Sequence, residues 1–199
     1  MTILATASLE GFFQGALEDA MKARRVEASS GTTHYLAGVL SEFAKPDAQR
    51  GATLDRPLAF LLDEALHTND LAERFAKLRA LGDGTLYTGG FFLDHFERRG
   101  VDQTYIVTIG SRAYESAGSL LTRGQEDAGP NIFAELARKF DVFVALVGEV
   151  ANLTLARGAE GVTGILKMYE RWQKTQSETL ASALSAHGFT TPKGKKVLQ

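Results

Sequence analysis

Apolar residues recur along this chain at intervals of three and four, the spacing of one face of a helix. Leu9, Phe12, Phe13, Ala16, Leu17, Ala20 and Met21 make the first stripe, with Ser8 at the N-cap position, and predict a helix near residues 9–26. Ser29-Ser30-Gly31-Thr32-Thr33 supplies a turn and a cap. Tyr35, Leu36, Val39, Leu40 and Phe43 then form a second stripe that closes before Pro46. Pro57, tolerated in a first helical turn, opens a short third helix through Leu58, Leu61, Leu62, Ala65 and Leu66, and Asn69-Asp70 restarts the chain.

From Leu71, the residues Phe75, Leu78, Leu86, Leu93 and Phe96 stay on one face if Gly82 and Gly89 fill the missing turns, with Gly84 turned away. Gly82, Gly84, Gly89 and Gly90 crowd this segment, and each interior glycine costs roughly 1 kcal/mol relative to alanine. That cost favours two helical pieces joined by a distortion over one long helix packed against bare backbone. Residues 101–109 are β-branched like a strand. Tyr105, Ile109, Ala113, Ala117 and Leu120 nevertheless keep the helical interval, with Asp102 placed to cap, so a helix ending near Thr122 is predicted.

After a polar loop, Asn131 caps a helix carrying Phe133, Leu136, Phe140, Phe143, Val144, Val147 and Ala151. Residues 158–161 separate it from a last helix with Ile165, Met168, Tyr169, Trp172, Leu180 and Leu184 facing inward, which Gly188 stops. The fold class is therefore all-α, a single compact bundle of about seven or eight helices over residues 1–188 with a flexible basic tail over 189–199.

Composition narrows the chemistry. At 44% hydrophobic and 23% charged the chain has the profile of a folded domain, and 199 residues bury enough surface to need no staple. With no cysteine, disulfide scaffolds, thiol nucleophiles, iron–sulfur clusters and Cys-based zinc sites are excluded. A net charge of -2 gives no general drive toward phosphate backbones, so nucleic acid is not an expected partner. The opening residues lack the basic region and long apolar run of a signal peptide. Asp141 and Glu149 interrupt the most apolar stretch, 140–150, which falls short of the roughly 20 residues of a span. A cytoplasmic protein without a membrane segment is expected.

The run Leu81-Gly-Asp-Gly-Thr-Leu-Tyr-Thr-Gly-Gly-Phe-Phe92, followed by Tyr105 and Gly110-Ser-Arg-Ala-Tyr114, resembles a pattern of uncharacterised bacterial all-helical proteins, over about residues 9–150. The resemblance implies a helical fold. No activity is established for such proteins, so no catalytic residue is carried over.

Of metal motifs only Glu64-Ala-Leu-His67 occurs, and a di-iron bundle needs a second Glu-x-x-His that the chain lacks; no metal and no cofactor are expected. Gly110-Ser111-Arg112 is no nucleophile elbow, and there is no P-loop. The densest polar and aromatic collection lies within residues 83–114. Tyr87, Phe91 and His95 fall at i, i+4 and i+8, with Arg98 two turns beyond Phe91 and Tyr105, Arg112 and Tyr114 following. Such a set suits an aromatic or anionic small ligand, with guanidinium groups on a carboxylate or phosphate. The plainer account is that the tyrosines pack in the core and the arginines solvate helix ends. Lys22, Arg24 and Arg25 complement a helix C-terminus, and with Lys193, Lys195 and Lys196 form the basic patch a nucleic-acid regulator would need.

Without a catalytic set, the leading expectation is a helical interaction or regulatory protein that self-associates or binds a protein partner. A small-ligand binder or enzyme built on 83–114 comes second, with His95 or Tyr105 moving a proton. A nucleic-acid-binding regulator comes third.

Overall fold

Side-chain caps set four of the helix starts. In the computed structural model the described residues are 2–45, 56–92, 100–122 and 131–189, with side chains described from residue 9. Among them are nine helices rather than seven or eight, and no strand: α1 (Thr2–Arg24), α2 (Ser30–Phe43), α3 (Leu58–His67), α4 (Leu71–Phe91), α5 (Gln103–Leu121), α6 (Ile132–Arg138), α7 (Phe140–Gly158), α8 (Gly161–Thr175) and α9 (Glu178–Ala186). The side chains of Ser29, Asp70, Asp102 and Asn131 accept first-turn N–H groups of α2, α4, α5 and α6, which satisfies donors a helix start leaves orphaned. Residues 103–109 are helical despite their β-branched character.

Four expectations are corrected. Helix α1 begins at Thr2 and runs through Ser8, since no breaker stands in that stretch. The glycine-rich segment is part of one unbroken helix, α4, and every residue from Leu81 to Gly90, Gly84 included, is buried. A Cβ on Gly82 would lie 2.5 Å from the Tyr114 ring, and one on Gly89 would lie 3.3 Å from Val144 and 3.4 Å from Ile106, so bare backbone lets neighbours close in. The helix opened by Asn131 breaks at Lys139, whose Nζ donates to the Glu27 carbonyl (2.8 Å) and to Glu135 (3.0 Å). The last helix breaks at Gln176, in the left-handed conformation (φ +50°), and Ser177 begins α9. Gly188 does stop α9: it has φ +84°, and Gly188 and Phe189 N–H groups donate to Ser185 and Leu184 carbonyls.

By internal packing the chain divides into two compact units, Met1–Val147 and Gly148–Gln199, with the division inside α7. In the first, α4 and α5 are the central pair, α3 packs on both, and α2 packs on α1, α4 and α6. Gly89 faces Ile106 and Gly82 faces Tyr114, so α4 and α5 run antiparallel. Leu58, Leu81, Ile106, Ile109 and Ala113 close the α3–α4–α5 junction. In the second unit Met168 and Trp172 of α8 meet Leu180 and Leu184 of α9, with Leu155, Ala156 and Ala159 against them. The expected tail falls almost wholly outside the described residues. No helix among those described is long and apolar enough to cross a membrane.

Candidate functional site

Among the described residues, the most buried ionisable cluster stands where α2, α4 and α5 meet. Asp83 lies one residue beyond Gly82, and its Oδ1 accepts hydrogen bonds from the Tyr35 hydroxyl (2.6 Å) and the Tyr114 hydroxyl (2.8 Å). Arg79, one turn back on α4, reaches Oδ2 at 3.5 Å. The Tyr35 ring stands edge-on to Phe133 (centroids 5.4 Å apart), and Tyr114 packs on Phe133 (5.8 Å) and Phe140 (5.7 Å). Gly110 clears the last contact, because a Cβ there would sit 2.1 Å from Phe140. Burial raises the Asp83 carboxyl above the usual range, opposed by the hydrogen bonds from Tyr35 and Tyr114 and by Arg79. Burial and then the charge of Asp83 raise both phenols, which stay neutral donors. A carboxylate oxygen already holding two fixed hydroxyls, walled by aromatic rings, is arranged to clamp three helices.

Two further glutamates bind the first residues of other helices. Glu135 of α6 accepts from the Ser29 N–H (3.2 Å), the Thr32 hydroxyl (2.8 Å) and Lys139 Nζ (3.0 Å), at the beginning of α2. Against its burial, the bonds from Thr32, Lys139 and Ser29 lower this carboxyl to about 2. In the second unit Glu149 of α7 accepts from the hydroxyls of Ser177 (3.1 Å) and Thr179 (2.5 Å), at the beginning of α9. Nearby, Arg171 Nε donates to Asn152, a buried side chain of α7.

The seven residues expected to form a ligand site are distributed differently. Tyr114 joins the Asp83 cluster. Tyr87 lies buried in a stack between Phe43 and Phe91, with both centroid separations 4.8 Å, and Phe92 stands edge-on at 5.8 Å. Tyr105 begins α5, nine residues and about 13 Å of helix before Tyr114. Its hydroxyl accepts the Ala59 N–H (2.9 Å) and so caps α3. Arg112 is exposed and pairs with Glu115 (3.2 Å). His95 and Arg98 lie outside the described residues. Two grooves formed by described residues lie elsewhere: one of about 690 Å³ between α1 and α2, lined by Glu18, Lys22, Arg25 and Glu27 among others, and one of about 440 Å³ along α5 and α6.

Glu64 pairs with Arg56 (2.9 Å) and Lys77 (3.3 Å), while His67 Nδ1 lies 2.8 Å from the Asp63 carbonyl, so the two residues of the Glu-x-x-His motif have separate surface partners. Sequence reasoning missed Asp83 and Tyr35 as a pair and missed Glu135 and Glu149. A charged residue flanked by glycines on a buried stripe was the available signal for Asp83; Tyr35 carried none, because a stripe tyrosine reads as packing. No family model, curated protein or solved structure matches the chain.

Proposed function

We propose that this protein is a helical interaction protein, acting through its surface rather than by catalysis, within the cytoplasm, and associating with itself or a protein partner. One observation supports the reading above others. Among the described residues, the buried Asp83 and Tyr114 and the partly buried Tyr35, Glu135 and Glu149 are engaged in joining helices, while large apolar side chains such as Phe60 and Val162 stand 64% and 85% exposed. Catalytic groups need a reachable proton or substrate atom, and a saturated clamp offers neither. Exposed apolar residues are ordinary singly and informative when they line one face. The test is affinity capture of the tagged full chain from its native cell, with protein and small molecules quantified in the same eluate. A stoichiometric protein partner, a second copy included, is expected. A stoichiometric small molecule with no protein partner would replace this reading with the small-ligand one.

A further inference from the structure

Two energetically unfavourable features of this chain line one groove. Among the described residues, Gln14 Oε1 is the buried side-chain polar atom without a hydrogen-bond partner, and Arg25 is one of two non-glycine residues in the left-handed region (φ +55°). Both line the groove of about 690 Å³ between α1 and α2. Each feature holds a charged group in its place. The Gln14 amide turns its Nε2 toward Glu18 Oε1 (2.8 Å), which orients that carboxylate and leaves Gln14 Oε1 unpaired. The Arg25 backbone takes a conformation that suits glycine, yet the residue there carries a guanidinium. Gln14, Glu18 and Lys22 fall at i, i+4 and i+8 on α1, one face of the helix, and Arg25 follows just past its end.

The order of charges along the groove selects the occupant. Glu18 makes one end negative, while Lys22 and Arg25 outweigh Glu27 at the other, and neither cation is engaged in an ion pair among the described residues. Met21, Val26 and Ala28 supply an apolar lining, and Thr33 Oγ1 of α2 lies 3.8 Å from Met21 Sδ, which joins the two walls. A polyanion would meet Glu18 and Glu27, and a polycation would meet Lys22 and Arg25. A molecule with an ammonium at one end and a carboxylate at the other finds an opposite charge at each. Lys22 and Arg25 stand four and seven residues beyond Glu18, about 6–10 Å at the helical rise. That is the span of about two or three extended residues. The volume falls within the roughly 300–1,000 Å³ of small-molecule sites. We infer that this groove binds a di- or tripeptide with free ends, its ammonium on Glu18, its carboxylate on Lys22 and Arg25, and its apolar side chains against Met21 and Val26. The site goes beyond the surface-interaction reading and does not rest on it.

The experiment is equilibrium dialysis of the full chain against the tripeptide Ala-Leu-Ala, its N-acetylated form and its C-terminal amide, up to millimolar concentration. Glu18→Gln, Arg25→Gly and the double variant Lys22→Gln with Arg25→Gly are measured beside the parent. The parent should bind the free tripeptide, and capping either end should weaken binding about tenfold or more. In Glu18→Gln the acetyl group should make little further difference, and in the double variant the amide should make little further difference, because each cap then removes a charge whose partner is already gone. Arg25→Gly relieves the left-handed strain, so it should lose affinity while its thermal midpoint rises, which separates loss of the site from loss of the fold. No retention of Ala-Leu-Ala by the parent overturns the inference, and so does equal retention of the capped forms. Retention that Glu18→Gln and the double variant leave unchanged places the peptide elsewhere and overturns this groove.

Discussion

Single positions in α4 show how a missing side chain becomes a structural requirement. Gly82 and Gly38 both lie inside helices, but a Cβ on Gly82 would enter the Tyr114 ring at 2.5 Å, whereas one on Gly38 meets nothing within 4 Å. The same substitution should therefore have opposite signs. Gly82→Ala is expected to destabilise by about 1–3 kcal/mol through overpacking, and Gly38→Ala to stabilise by roughly 0.5–1 kcal/mol through the chain entropy it removes from the unfolded state. Urea midpoints of the two variants beside the parent measure this directly. Tyr114→Phe keeps the ring and removes one donor from Asp83, so it should cost about 1–3 kcal/mol.

At the scale of elements, helix ends are where this chain departs from ideal residues. Arg25 holds the left-handed position after α1 (φ +55°), where its N–H and that of Val26 bond the Lys22 and Met21 carbonyls, an arrangement that glycine adopts without strain. Arg25→Gly should raise stability by about 0.5–1 kcal/mol, read as an increase in thermal midpoint. The start of α2 brings pH dependence. The Glu135 carboxyl is depressed to about 2 from 4.5, so the native state resists protonation. Its contribution is complete above 4.5 and is lost as pH falls toward 2. The parent should lose its advantage over Glu135→Gln across that window in denaturation series at stepped pH. Asp83, raised by burial, acts with the opposite sign: stability falls as pH rises through its folded value.

For the molecule as a whole, most helices were legible because a local signal and the global packing agreed, as at Asp70, Asp102 and Asn131. The breaks at Lys139 and Gln176 were not, since Lys139 turns where its ammonium finds Glu27 and Glu135, and Gln176 turns where Glu149 can receive Ser177 and Thr179. The continuity of α4 was hidden for a related reason: the benefit of its glycines resides in Tyr114, Ile106 and Val144, far along the chain. The candidate site was half readable. Tyr114 and Asp83 fell inside the segment singled out from sequence, but Tyr35 lies 48 residues from Asp83 and no period links them. The carboxylate that α6 lends to the start of α2 carries a consequence for the order of assembly. A fourteen-residue helix is marginal alone, and α2 receives its last donor-satisfying group only when α6 has arrived. The start of α2 is therefore expected to be completed after the folding barrier, because its last contact waits on an element 106 residues away. Stopped-flow kinetics on Glu135→Gln should show an unfolding rate that rises while the refolding rate stays nearly fixed, the outcome expected of a carboxylate that governs how long the folded chain persists more than how fast it forms.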